Sequence, residues 1–272
     1  MIDNNINEKE LAEAMIKYLD CPCQYFPAMD SDKMVLEAYY KAQERGKKEG
    51  FVPMMVVVDD RLWGGLVMNA DSEEEGAELL AFNAEHIAQY RKNMLNTALE
   101  SGKEVLENYR KEYYSYDEED EDSERDEEEW DTYFLSETEL ADEIPEDAEG
   151  GGFMAIGDSG KTVPLILAEI PVKNPWEVFA YLPFGGWNEC PDTLDLMAVS
   201  KYWYEMYQAA PAAVTSDILE FIVPEPVEAD KALDLAKEQY VFCTDIVDQG
   251  VETVGNLAAM LSHMKTWFFW WD

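Results

Sequence analysis

Basic residues are scarce in this chain. Lys and Arg together number 20 against 59 Asp and Glu, with two His, and the net charge is −39. A nucleic-acid duplex or an anionic membrane surface repels such a chain unless a local basic patch intervenes. The densest basic stretch, residues 41–48, has Glu44 inside it and Glu49 beside it. Nucleic acid and membrane are therefore not expected partners, and a partner selected by charge is a basic protein. Cysteine is equally sparse. Cys21, Cys23, Cys190 and Cys243 are too few and too unevenly spaced for a disulfide framework, and read as reduced thiols in a cytoplasmic protein. Long apolar runs are missing too: there is no stretch of about 18 apolar residues to span a bilayer. The first residues, Met1 to Asn5, carry neither the basic nor the apolar region of a secretory signal.

What the chain does have is material to bury. Hydrophobic residues make up 47% of its 272 positions and aromatics 12%, enough to build a core and to exclude global disorder. Six of the eight tryptophans lie after residue 175, which points to a Trp-rich C-terminal domain. Charge is also unevenly placed. Residues 117–149 hold nineteen Asp or Glu against a single Arg125, nearly half of the net charge. Such a run repels itself and is expected to be an extended, solvated linker. Its second reading is an arm for a basic partner, with Trp130, Tyr133, Phe134 and Leu135 as anchors. Gly150, Gly151 and Gly152 follow as a hinge. The expected organisation is a helix-rich region with at least one strand over 1–114, an acidic linker over 115–152 and a Trp-rich α+β domain over 153–272.

Apolar spacing predicts helices over residues 8–19 and 32–47 and a buried strand over 52–58. It predicts a helical pattern over 73–114, interrupted at Ser101-Gly102. Two strands are expected over 153–156 and 163–172, joined by a turn at 157–160, and a third extended piece over 176–182. Helices over 192–207, 229–242 and 253–264, a strand over 218–223 and a terminal strand over 266–272 complete the set. The fold class is α+β: a mixed β-sheet packed with helices in the C-terminal domain, beside the helix-rich N-terminal region.

Several motifs carry chemistry on paper. Gly160-Lys161-Thr162 ends a relaxed phosphate-loop pattern, but Pro164 and a β-like run follow where a helix must start, so it reads as a turn. Cys21 and Cys23 are spaced too closely for a structural zinc pair, and neither His86 nor His263 sits at ligand spacing, so no metal is expected. Cys190, in Gly185-Gly186-Trp187-Asn188-Glu189-Cys190-Pro191, precedes a helix, where a thiol can become nucleophilic. His263 is its candidate base, although its position opposite Val254, Leu257 and Leu261 aims it outward. Asp245, Asp248 and Gln249 form a polar loop able to bind a cation, to act as acid and base, or simply to cap a helix. Cys243 shares an apolar face with Leu233, Ala236 and Tyr240 and reads as core. Trp187, Asn188 and Gln249 are the candidate binding residues. No motif calls for a cofactor.

The motifs of the C-terminal region have a family likeness. Pro175-Trp176-Glu177, the run Ala180 to Pro191, Tyr202-Trp203-Tyr204-Glu205, Ala236 to Tyr240, Cys243 to Gly250 and Trp267 to Asp272 together resemble the bacterial domain of unknown function 4253 family. The likeness covers about residues 163–272; one departure from it, Gln208-Ala209-Ala210, touches a turn. It implies no activity, substrate or cofactor.

Two functions are expected from these readings. One is a protein-interaction module for a basic partner, immunity- or antitoxin-like. The other is an enzyme with a small pocket around Cys190 and Asp245/Asp248.

Overall fold

Val52 to Val57 carry no polar side chain, and in the computed structural model all six are buried in strand β2 (Val52–Val57). A strand with this pattern is covered on both faces. Val52, Met54 and Val56 enter a larger core and Met55 and Val57 a smaller one, as the two-residue period of a strand requires. Strand β3 (Leu165–Ile170) pairs antiparallel with β2 and divides in the same way. Ile166, Ala168 and Ile170 face the larger core, Leu165 and Leu167 the smaller. The structure describes residues 7–71, 80–115, 152–157 and 160–272.

Strands β1 (Cys23–Phe26), β4 (Ala210–Val214), β5 (Ile218–Ile222) and β6 (Thr266–Trp270) complete a six-stranded sheet in the order β1-β3-β2-β4-β5-β6. The β2–β4 pair is parallel and the other four pairs are antiparallel, so the sheet is mixed. β2, which precedes the acidic segment in the chain, lies between β3 and β4, which follow it. The two sides of that segment therefore hydrogen-bond into one sheet. Residues 116–151, which hold nearly all of the expected linker, lie outside the described residues.

Helix α2 (Lys33–Glu49) packs Val35, Tyr39 and Ala42 onto the smaller core. The larger core takes side chains from α1 (Glu8–Leu19), α3 (Asp60–Ala70), α4 (Ala84–Asn96) and α5 (Gly102–Ser115). From the second half of the chain it takes α6 (Thr193–Tyr207), α7 (Ala229–Phe242) and α8 (Val254–Leu261). The side chains of Asn7, Asp59, Asn83, Asp192 and Thr253 accept backbone N–H bonds at five helix starts. At the centre, Trp203 of α6 stacks on Phe269 of β6 with ring centroids 5.4 Å apart and meets Phe242 edge-on at 5.0 Å. Gly102 opens α5 where a Cβ would lie 2.3 Å from the Ala198 carbonyl, so only glycine lets α5 approach α6 this closely. Among the described residues no helix is long and apolar enough to cross a membrane.

Some elements differ from the sequence expectation. Residues 175–180 form a 3₁₀ turn rather than an extended piece. Pro175 sits at its start, and the Glu177 carboxylate accepts the backbone N–H of Asn174 at 3.0 Å in a capping box. Residues 154–156 turn instead of forming a strand, closed by Gly157 N–H to Met154 O at 3.2 Å. The interruption expected at 101–102 begins earlier, at Thr97, which caps α4; residues 73–79 of the same helical pattern lie outside the described residues.

Candidate functional site

The loop 185–191 is built by its glycines and its own carbonyls. Gly185 has φ +89°, and a Cβ there would lie 1.9 Å from Pro191 O. The N–H of Gly186 donates to the carbonyls of Cys190 and Pro191, and that of Cys190 to Trp187 O at 2.9 Å. From the other side, Asn69 of α3 donates to the carbonyls of Pro183 at 2.9 Å and Gly185 at 3.0 Å. Trp187 lies edge-on to Phe184, with centroids 5.9 Å apart. The Cys190 side chain points into the larger core. Burial, and then the neighbouring Cys243, push its thiol above the usual range. Burial and a raised thiol both favour packing over nucleophilic attack at this position.

Asn188 and Asp245 meet at the same place, the terminal residue of the sequence. Asn188 Nδ2 donates to Asp272 O at 2.6 Å, and Asp272 N–H donates to Asp245 Oδ2 at 2.9 Å. Cys243 Sγ donates to Trp270 O at 2.9 Å. Its thiol is pushed up to about 12 by burial. Gln249 donates to Asp245 Oδ1 at 2.8 Å. Asp248 faces elsewhere and accepts the Tyr240 hydroxyl at 3.0 Å, with its carboxyl raised by burial. The structure thus brings Asn188 and Asp245 together as a clamp on Asp272, just past the end of β6, with Gln249 held on Asp245 and Cys243 beside them.

His263 stands apart from this group. Its Nδ1 lies 2.8 Å from Ala259 O and 2.9 Å from Ser262 Oγ, within its own turn. It lines a cleft of about 1070 Å³ together with Tyr39, Lys47, Lys48, Tyr204 and Lys265; Trp187, Asn188, Cys190, Asp245, Asp248 and Gln249 do not line it. A lysine-rich wall contrasts with the acidic chain, but local groups account for it. Lys47 and Lys48 occupy the last turn of α2, where cations offset the carbonyl end of the helix. Lys47 also pairs with Glu44 at 2.8 Å and Lys265 with Glu225 at 2.9 Å.

Three further polar groups were not singled out by the sequence. Glu220, in the middle of β5, is buried, and its carboxyl is raised to about 7 by burial against the lowering effect of two backbone bonds. Its signal was legible: one carboxylate inside Ile218-Leu219-Glu220-Phe221-Ile222. Arg91 of α4 is buried, with its guanidinium 4.3 Å from the ring centroid of Tyr181 and 5.1 Å from that of Tyr18. Asp71 holds His86 Nδ1 at 2.8 Å. The Gly160-Lys161-Thr162 motif does not lead into the helix that a phosphate loop requires. Thr162 bridges to Met29, and β3 rather than a helix follows it. Among the described residues no three His, Cys, Asp or Glu converge as a metal site.

Comparison with known families agrees with the motif likeness. Residues 166–272 match the family described as Domain of unknown function (DUF4253). The match begins inside β3 and runs through β6, so it includes the clamp on Asp272 and the Trp203 cluster but not β1 or β2. No curated protein and no solved structure matches the chain.

Proposed function

We propose that this protein is a protein-binding module, immunity- or antitoxin-like in class, that engages a basic partner through its excess of carboxylates. The observation that carries this reading is where its own cations go. Lys9, Lys41, Lys47, Lys201 and Lys231 each pair with a carboxylate three or four residues away on the same stretch of chain. Arg45 pairs with Glu49 and Glu169, and Lys265 with Glu225. Even with every Lys and Arg paired, 39 carboxylates stay uncompensated. The nineteen in residues 117–149 are the densest group. They are neutralised by counterions or by a basic surface, and a complementary surface gains both speed and specificity from the field.

Both flanks of the acidic segment are tied to the folded body. On one side α5 packs Val105 and Leu106 into the larger core, and on the other Phe153, Ala155 and Ile156 enter the smaller core. Charge held on an anchored segment meets a partner in a restricted set of positions, which favours specific over diffuse binding. The enzyme reading at Cys190, Asp245 and Asp248 has no observation favouring it.

Capture from native lysate tests the proposal, with the full chain and a variant lacking residues 117–149 as baits. The full chain is expected to retain a basic protein at low ionic strength and release it as salt rises, and the shortened chain to retain far less. Absence of any basic partner, or equal capture by both baits, contradicts it.

A further inference from the structure

The geometry points to Cys21 and Cys23 as a redox-active dithiol that exchanges with small-molecule disulfides. The two sulfurs lie 3.9 Å apart, and both side chains are half-exposed. They flank Pro22, whose carbonyl accepts Glu169 N–H at 2.9 Å, so the short turn is fixed to β3 just before β1 begins. A disulfide bond is about 2.05 Å long, so each sulfur needs to move by only about 1 Å to close it. Pro22 and the sheet hold both thiols on one side of the chain, so closing the bond costs little chain entropy.

The surroundings favour the chemistry in two ways. The hydrogen bond between the two thiols holds Cys23 below the usual thiol range, although burial and Glu169 oppose the shift. That direction favours Cys23 as the attacking sulfur, with Cys21 keeping its proton. Arg91 is the second factor. It is buried against Tyr18 and Tyr181, donates to Tyr18 O, and its Nε has no hydrogen-bond partner among the described residues. Its positive charge favours a thiolate at Cys21, the state needed in the second half of the exchange. Cys190 and Cys243, buried and with thiols pushed up, take no part.

The steps balance. The Cys23 thiolate attacks one sulfur of a disulfide R–S–S–R, the S–S bond breaks, and R–S⁻ leaves and takes up a proton. Cys21 then loses its proton and attacks the Cys23 sulfur of the mixed disulfide, expelling the second R–S⁻, which is protonated in turn. The two cysteines lose two electrons and two protons as they form the Cys21–Cys23 bond, and the disulfide is reduced to two R–SH molecules. Oxidised glutathione is the probe for this class of substrate.

The experiment exposes the folded full chain to excess oxidised glutathione and reads intact mass and peptide maps. The expected wild-type product is lighter by two hydrogens, with a Cys21–Cys23 bridge, free Cys190 and Cys243, and no retained glutathione. C21S is expected to trap glutathione on Cys23, because no second thiol is present to resolve it; C21A serves if circular dichroism shows that C21S is unfolded. Four free thiols in the folded protein, bridging only in denaturant, or stable glutathione on both cysteines overturns the proposal. A wild-type bridge without a Cys23 adduct in the Cys21 variants overturns the assignment of the attacking sulfur.

Discussion

The carboxylate of Glu220 accepts the backbone N–H of Ala155 at 3.1 Å, and its other oxygen accepts the neighbouring N–H of Met154 at 2.8 Å. One buried acid in β5 thereby fixes the chain just after the acidic segment. The charge is not fully compensated, because two neutral donors replace bulk water, and burial wins.

Glu220 therefore makes stability depend on pH. Its folded-state value, about 7, is above the ordinary 4.5, so the folded protein holds a proton that the unfolded chain has lost between these values. The stabilisation this provides is fully present below about pH 4.5 and is lost as pH rises through about 7. A shift of this size corresponds to about 3 kcal/mol. Glu220→Gln is expected to remove that dependence. The quantity to follow is the difference between wild-type and variant unfolding free energies from pH 4 to 8, in which the common titration of the other carboxylates cancels. A constant difference contradicts the assignment.

Asn188 and Asp245 act on one residue, Asp272, so they are expected to behave as structural groups. Asn188→Ala and Asp245→Ala should each lower stability by about 1 kcal/mol, the usual net value of a hydrogen bond. The double variant should show coupling, because both bonds order the same terminal residue. Urea melts followed by tryptophan emission check this. Unchanged midpoints in both single variants contradict the clamp.

The position of β2 predicts how the chain behaves when cut. A fragment of residues 153–272 has β3 and β4 but lacks the strand between them, leaving backbone donors and acceptors of both unpaired. It is expected to melt without cooperativity by itself and to recover the intact protein's near-ultraviolet circular dichroism when mixed with a fragment of residues 1–115. Cooperative unfolding of the 153–272 fragment alone contradicts this.

Much of the scaffold was legible in the sequence because its elements have strong periods. α1, α2, α6 and α7 carry apolar residues at helical spacing, and β2 and β6 are apolar runs short enough to be strands. Other elements carried misleading local signals. α3 contains Gly64-Gly65, which weakens a helix, yet Leu62, Trp63 and Leu66 bury into the larger core and outweigh the cost. β4 opens Ala210-Pro211 and bends at a register shift between Pro211 and Ala213, so it lacks a strand's usual composition. β1 has only four residues, and its existence depends on pairing with a strand about 140 residues away, between Cys23 and Ala168 at one end and Phe26 and Leu165 at the other, a non-local contact that no local pattern signals. At the candidate site, residue types at Asn188, Cys190, Asp245 and Asp248 were suggestive, but the bonds that engage them are tertiary. Arg91 was hidden because a single arginine in a helix normally faces water.

The most direct test of a charge-driven binding function is the association rate of the full chain with its captured basic partner, measured across ionic strengths and compared with the variant lacking residues 117–149. Association is expected to be fast at low salt, to fall steeply as salt rises and to slow by about tenfold or more on deletion, with dissociation changing less. An association rate that neither salt nor the deletion alters contradicts the account.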